Sequence, residues 1–167
     1  MSCFVVFNLL LFSQVPQYSI TCDPAQFDYM MDNWEEEITI ACAVEHQGEV
    51  YDNCTMRIRG DTSRGFDKKS YRIEFPSENP LEGRTAWNFN ADILDHSYTK
   101  SWLFSRVLSD MGFPCFQVSH ANLLVNGDNR GLFLRVEPVN KAFLTRIGFD
   151  TEGNLYKAAR DGSCTSI

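Results

Sequence analysis

A basic segment between residues 57 and 72 carries the side chains of this chain that are best suited to binding an anion. It holds six of the 15 basic residues and only two acids, in a protein whose net charge is −7. The basic residues are Arg57, Arg59, Arg64, Lys68, Lys69 and Arg72. Guanidinium and ammonium groups beside glycines are common ligands of phosphate oxygens. The segment therefore predicts a binding site for a phosphorylated ligand.

Two glycines, Gly60 and Gly65, interrupt this basic segment. Because glycine has no Cβ, the backbone beside it can approach a phosphate closely. We rank Arg59 and Lys69 as the strongest sources of positive charge, since each adjoins a predicted strand that would fix its direction. The candidate phosphate ligands of the segment are Arg59, Gly60, Arg64, Gly65, Lys68 and Lys69.

The same segment also fits a solvated hairpin tip with a charged outer face, which is the usual explanation of a run of charges. Its spacing matches neither the phosphate loop G-x-x-x-x-G-K-[ST] nor the kinase loop G-x-G-x-x-G. Both interpretations stay open on these residues alone.

The composition indicates one globular domain and argues against two kinds of partner. A chain of 167 residues with 44% hydrophobic residues can bury one ordinary core. Its pI near 4.9 argues against nucleic acid as a partner, because such binding depends on neutralising many phosphates. The six cysteines and three histidines show no zinc-binding spacing, so we predict no metal site in this chain.

The N-terminus begins with an apolar run at residues 3–12, which has the length of a signal-peptide core. The run is too short to cross a bilayer as a helix, and we predict no transmembrane span. It lacks the usual preceding Lys or Arg, and Asn8 interrupts it. Residues 1–16 are therefore interpreted as either an export signal or a first buried strand, and residues 17–167 as the domain.

Hydrophobic periodicity supplies the elements that must position the basic segment. We predict strands at residues 18–21, 37–45, 50–59, 70–75, 87–90, 117–125 and 131–136. We predict helices at residues 23–33, 98–111 and 140–147. The first helix has Asp23 as its capping residue and Pro24 at its first position, which is a strong start signal.

Two of these strands should gather positive charge on one side of the sheet. Arg57 and Arg59 occupy the polar positions of the strand at 50–59, and Arg72 occupies a polar position of the strand at 70–75. Successive side chains of a strand point to opposite faces. The three arginines are therefore expected beside one another.

The strands at 37–45 and 50–59 are expected to form a hairpin. A three-residue loop at 47–49 would place Cys42 opposite Cys54. A cross-strand disulfide and a pair of buried thiols fit this geometry about equally well.

Three segments of the chain resemble one protein family. The CotH kinase family, which comprises spore-coat and secreted atypical kinases, is similar over MRIRGDTSRGFDKKSYRIEF, VNGDNRGLFLRVEPVNKAFL and GFDTEGNLYKA, in this order. The resemblance extends from about Tyr18 to Ala158. Together with the order of elements, it implies an α+β fold, namely a kinase-like small lobe with an antiparallel sheet and one long helix, whose C-terminal lobe is missing from this chain.

The resemblance implies a kinase that transfers the γ-phosphoryl group of ATP to Ser or Thr side chains of secreted or spore-coat proteins, with Mg²⁺. Catalysis of this reaction rests mainly on positioning and electrostatic stabilisation, which suits a basic segment facing the phosphates. The catalytic acids and metal ligands are expected outside this chain, which alone would be inactive. The alternative is a secreted binding or adhesion module that uses the same fold without catalysis.

Glu137 follows an apolar strand and precedes Pro138, where a kinase-like fold has the hinge between its lobes. A carboxylate or carbonyl oxygen there could accept a hydrogen bond from the adenine amino group, and Glu137 is included among the nucleotide-binding candidates. The alternative is an acid that interacts with the dipole of the helix at 140–147.

Overall fold

The computed structural model describes residues 15–158 and 164–166. The apolar run at residues 3–12 lies outside these residues, so its assignment stays a prediction. The strands are β1 (Gln17–Cys22), β2 (Thr39–His46), β3 (Glu49–Arg59), β4 (Ser70–Glu74), β5 (Ala86–Asn90), β6 (Val118–Val125), β7 (Asp128–Val136), β8 (Tyr156–Ala158) and β9 (Cys164–Ser166). The helices are α1 (Pro24–Asp32), α2 (Lys100–Asp110) and α3 (Lys141–Arg146), with a short 3-10 helix at Thr62–Gly65.

Strands β1 to β7 form a closed barrel in the order β1-β2-β3-β4-β5-β7-β6. Neighbouring strands are antiparallel, with one exception. Strands β1 and β6 run parallel, with Gln17 opposite Asn122 and Ile20 opposite Val125. This pairing closes the barrel and leaves none of the seven strands as a free edge. Strands β8 and β9 pair in a separate two-stranded sheet.

The predicted fold class, an α+β kinase-like small lobe with one long helix, is wrong. The seven-stranded barrel dominates the described residues, and α2, the helix predicted to be long, has eleven residues. The error has a physical cause. Hydrophobic alternation determines which face of a strand is buried, but it does not determine which strand edges pair. The closing strands β1 and β6 lie about a hundred residues apart in the sequence, and no local pattern marks their pairing.

The barrel core explains why these segments form strands. Along β2, exposed and buried side chains alternate, so one face fills the barrel while the other faces outward. Strand β5 is buried at its first four residues, so both of its faces are covered there. Full burial of such a side chain contributes roughly 1.5–3 kcal/mol. The fully buried members include Tyr18, Ile20, Met56, Ile58, Tyr71, Ile73, Trp87, Phe89, Leu123 and Phe133.

The β2–β3 hairpin has the predicted strands but a different turn. His46 pairs with Glu49, so the loop has two residues instead of three. A bulge between Cys42 and Val44 then shifts the register by one residue, and Cys42 still lies opposite Cys54. Both thiols are free and buried. The second of the two open alternatives for this pair is therefore the one observed.

The helices begin near the predicted residues. The Asp23 side chain accepts a hydrogen bond from Gln26 N at 2.9 Å and caps α1, as expected from the sequence. Helix α2 packs on β6, where the rings of Trp102 and His120 are 5.9 Å apart. In the described part of the chain, no helix is both long and apolar enough to span a membrane.

Candidate functional site

Three arginines form a positively charged patch on the outside of the barrel, and we call them the arginine face: Arg57 and Arg59 of β3 with Arg72 of β4. Arg57 and Arg72 are directly opposite in the β3–β4 register. The side chains between them in sequence, such as Ile58, are buried in the barrel. Strand alternation thus turns all three arginines outward together, which confirms the predicted grouping.

Strand β5 continues this patch with two asparagines. Asn88 lies opposite Arg72 on one side and opposite Val136 on the other. The Arg59 guanidinium donates a hydrogen bond to Asn90 Oδ1. Asn88 is only 6% exposed, and its Oδ1 has no hydrogen-bond partner within the described residues. A buried acceptor without a partner is costly, so this atom points to a ligand that donates a hydrogen bond.

The arginine face and the two asparagines border a cavity of about 530 Å³. It is the larger of two cavities beside the basic segment, and we call it the larger cavity. This volume lies within the usual range for small-molecule sites. The remaining walls are mainly apolar and come from the strand ends and the following segments. They comprise Phe116, Val136, Glu137, Pro138, Val139 and Tyr156.

The arginine face gathers like charges in a partly buried place. Burial lowers the pKa of Arg59, and the positive charges of Arg72 and Arg57 lower it further. Arg57 lies 3.7 Å from Glu37, and Arg72 lies 2.8 Å from Glu74. Both of these acids are exposed, so such pairs contribute little. An anion in the larger cavity would relieve the mutual repulsion of the arginines.

A second, smaller cavity of about 230 Å³ lies on the other side of the Arg59–Asn90 pair. Gly60 lines it and has a φ of +117°, a backbone conformation that other residues rarely adopt. Lys68 and Asp92 also line it. Among the described atoms, Asp92 Oδ2 is buried without a hydrogen-bond partner. Burial, reinforced by the charge of Asp95, raises the pKa of Asp92.

Lys68 is held firmly at the wall of the smaller cavity. Its Nζ donates to the Tyr98 hydroxyl at 3.0 Å and to the carbonyl oxygen of Leu132. It also lies 4.2 Å from the centroid of the Phe133 ring. These contacts fix the position of the Lys68 ammonium group at the wall of the smaller cavity.

Arg64 and Lys69 turn away from both cavities. Arg64 Nε donates to the carbonyl oxygen of Trp34 at 2.9 Å, and a second guanidinium nitrogen donates to Glu36 O. Lys69 Nζ donates to Arg64 O at 2.6 Å and lies 4.8 Å from the Trp34 ring centroid. Through these contacts, Arg64 and Lys69 connect the basic segment to residues 34–36. Gly65 is exposed beside the same tryptophan ring.

Glu137 is 2% exposed and forms a buried ion-pair cluster at the edge of the larger cavity. Arg84 Nε lies 2.8 Å from one carboxylate oxygen, and Arg146 lies 2.6 Å from the other. Gln117 N donates to the carboxylate at 3.0 Å. Burial alone would raise the pKa of Glu137, but hydrogen bonds from Arg146, Arg84 and Gln117 outweigh burial and lower it. Both oxygens thus have protein partners, and Asn140 caps α3 instead.

Of the predicted ligands, the structure brings Arg59, Gly60 and Lys68 to one cavity and Arg59 and Glu137 to the other. The prediction left out two asparagines, Asn88 and Asn90, which line the larger cavity. Their signal was the alternation of Trp87-Asn88-Phe89-Asn90, which puts two amides on the outer face of a strand. No group of three metal-binding side chains occurs in the ranges that the structure covers.

Comparison with known proteins assigns the family. Residues 56–166 match the model of the CotH kinase protein family, and this range includes the arginine face and both asparagines. Inner spore coat protein H of Bacillus subtilis (strain 168) is 25% identical over 156 residues. That match covers 93% of this chain but only 42% of the relative, so the chain spans less than half the length of that curated protein. The chain belongs to the CotH kinase protein family.

Proposed function

We propose that the larger cavity binds the phosphates of ATP through the arginine face, and that the whole protein transfers the γ-phosphoryl group to Ser or Thr side chains of protein partners. Membership of the CotH kinase family supports the reaction type. The observation that carries the proposal is the crowding of Arg57, Arg59 and Arg72 around one cavity. Like charges gathered in this way are compensated best by a multiply charged anion.

A nucleotide suits the larger cavity better than a simple anion does. The unpartnered Oδ1 of Asn88 needs an N–H or O–H donor, and a nucleoside carries such donors on its base and on its sugar hydroxyls. The apolar wall at Phe116, Val136 and Val139 offers a surface for a flat base. A ligand with an anionic end, hydrogen-bond donors and an aromatic ring fits all three features.

Each arginine has a distinct role in this proposal. Arg59 is oriented by Asn90, so its guanidinium is already in place when the ligand arrives. Arg57 and Arg72 have weak contacts with the exposed acids Glu37 and Glu74. When the ligand binds, contacts with phosphate oxygens replace them. Positive charge held in place stabilises the negative charge that spreads over the phosphoryl oxygens during transfer.

Mg²⁺ would supply neutralisation of the phosphate charge in a reaction of this type. Among the described residues, no group of three or more His, Cys, Asp or Glu side chains could hold the metal ion. The proposed role of this chain is nucleotide binding. A spore-coat or cell-surface location is part of the proposal, since the relative is named as a spore coat protein.

The proposal is tested with the complete gene product and ATP labelled at the γ-phosphate. We expect label on Ser or Thr residues of surface-protein substrates, and its loss in Arg59→Gln. Arg106→Gln is the matched control, because Arg106 is exposed on α2 and lines neither of the two cavities. ATP binding without transfer would support the non-catalytic binding module instead. Failure of ATP to bind would overturn the assignment of the cavity.

A further inference from the structure

Three cysteines lie in one row across the first three strands of the barrel, and we call them the cysteine row. Cys22 on β1 is directly opposite Cys42 on β2, and Cys42 is directly opposite Cys54 on β3. Directly opposite residues of a sheet point to the same face, so the three side chains share one side. The sequence prediction had considered only the pair Cys42 and Cys54.

The register limits which of these thiols can be joined. Opposite residues of antiparallel strands have Cα atoms about 4.5–5.5 Å apart, and disulfides span about 4.4–6.8 Å. Cys22 and Cys54 are separated by a whole strand, or about 9.5 Å, and cannot be bridged without backbone movement. Cys42 is therefore the shared partner of two alternative pairs.

The three thiols differ in their access to solvent. Cys54 is fully buried, and its Sγ contacts the carbonyl oxygen of Tyr51 at 3.3 Å. Cys42 is 7% exposed, whereas Cys22, at the end of β1, is only partly buried. A dissolved reagent reaches Cys22 first.

The surroundings of Cys22 also favour it as the attacking thiol. Burial, together with the neighbouring Cys54 and Cys22, raises the pKa of Cys42 to about 12. Burial and the charge of Asp23 raise the pKa of Cys22 as well, but a hydrogen bond with Asn126 and the charge of Arg130 oppose this rise. The thiolate forms more readily at Cys22 than at the centre of the row.

We propose that Cys22 and Cys42 are an oxidisable dithiol site, which low-molecular-weight disulfides convert into a disulfide joining β1 to β2. This site is separate from both cavities, since neither cavity is lined by these cysteines. The inference does not depend on the proposed nucleotide binding.

The exchange proceeds in two balanced steps. The Cys22 thiolate attacks one sulfur of the small disulfide R–S–S–R, a Cys22–S–S–R bond forms, and one thiolate RS⁻ leaves and takes up a proton. The Cys42 thiolate then attacks the Cys22 sulfur, the Cys22–Cys42 bond forms as the mixed disulfide bond breaks, and the second RS⁻ leaves and takes up the proton that Cys42 released. The protein loses two electrons, and the reagent is reduced to two molecules of RSH.

The disulfide would stabilise the strand that closes the barrel. Strand β1 lies between β2 and β6, so it joins the two ends of the sheet. A covalent link between Cys22 and Cys42 encloses about 20 residues and restricts the unfolded chain. We expect oxidation to raise Tm by roughly 5–10 °C.

The test uses the native chain with oxidised glutathione, followed by thiol blocking and peptide mapping without reduction. We expect a Cys22–Cys42 linked peptide. In Cys42→Ser, glutathione should remain attached to Cys22, because the resolving thiol is gone. In Cys22→Ser, oxidation of Cys42 should be slower by roughly tenfold, since a buried thiol is poorly accessible. Cys115→Ser is the matched control and should behave like the native chain, because Cys115 lies outside the row.

Three outcomes would overturn the inference: a Cys42–Cys54 linkage in the native chain, equal oxidation of Cys42 in Cys22→Ser, or a native map in which Cys22 and Cys42 both stay reduced. The peptide map of the native chain tests the Cys22–Cys42 linkage even where a variant does not fold. Circular dichroism recorded during oxidation checks that the reaction occurs in the folded protein.

Discussion

Arg59 donates a hydrogen bond to Asn90 Oδ1, and this pair forms the wall between the two cavities beside the basic segment. Arg59 is the last residue of β3 and Asn90 is the last residue of β5. Strand β4 lies between these two strands. The contact holds a partly buried guanidinium in position without neutralising it. Arg59 therefore keeps its full charge for a ligand, and the first prediction concerns this contact.

Replacing Asn90 by Asp should stabilise the free protein and weaken ATP binding. The new carboxylate would pair with Arg59 and relieve its repulsion with Arg57 and Arg72. We expect a higher Tm and a Kd for ATP that increases roughly tenfold, because one phosphate ligand is already neutralised. Asn129→Asp makes the same charge change at an exposed position outside both cavities. An equal effect of the two variants on Kd would contradict a local role for Asn90.

Asn88→Leu should increase the stability of the protein and weaken its binding of ATP. The buried Oδ1 of Asn88 lacks a partner in the described structure, so its replacement by an apolar side chain should raise the free energy of unfolding by roughly 1 kcal/mol. The same change removes the acceptor offered to the ligand, and ATP binding should weaken. Urea unfolding and calorimetric titration measure the two quantities. A variant that is less stable yet binds ATP normally would show that the amide serves packing alone.

Lys69→Met should affect stability more than binding. Lys69 Nζ donates to Arg64 O, and its loss leaves a buried carbonyl without that partner. We expect a loss of roughly 1–3 kcal/mol in the free energy of unfolding and a Kd for ATP within about twofold of the native value. Lys141→Met, at an exposed position of α3, is the control for charge. A large rise in Kd without destabilisation would restore Lys69 as a phosphate ligand.

Glu137→Gln should remove part of the acid sensitivity of the fold. The pKa of Glu137 is lower in the folded protein than its ordinary value. Its contribution to stability is therefore complete above the unfolded pKa, near 4.5, and is lost as the pH falls through the lower folded pKa. At neutral pH the variant leaves Arg84 and Arg146 without their anion, which should cost roughly 3–5 kcal/mol. Urea unfolding of both proteins between pH 3 and 7 checks this, and the difference between them should shrink toward the acid end.

Local patterns predicted the elements well because the forces that form them are local. The Asp23 cap, the two strands of the β2–β3 hairpin and α2 follow from capping and hydrophobic period, whereas the turn of the hairpin is one residue shorter than predicted. The grouping of Arg57 with Arg72 also follows, since it needs only strand alternation and a neighbouring strand. The same reasoning could not predict the closed barrel, because the pairing of β1 with β6 depends on the packing of the whole chain.

The candidate site was predicted in part for the same reason. Composition marked the basic segment correctly as a cationic region, but not which of its cations have internal partners. Arg64 and Lys69 bind backbone carbonyl oxygens that only the folded chain brings near. Asn88 was missed because an amide in a strand carries no charge signal, and its importance comes from burial without a partner.

The most direct test of the central claim is a calorimetric series with adenosine, AMP, ADP and ATP, on the native chain and on the Arg57→Gln/Arg72→Gln double variant. If the arginine face binds phosphates, affinity for the native chain should rise with each added phosphate, and this rise should be largely lost in the double variant. Adenosine itself should bind both proteins equally weakly. Equal affinity of the native chain for all four ligands, or an unchanged series in the double variant, would contradict the claim that Arg57, Arg59 and Arg72 form a nucleotide-phosphate site.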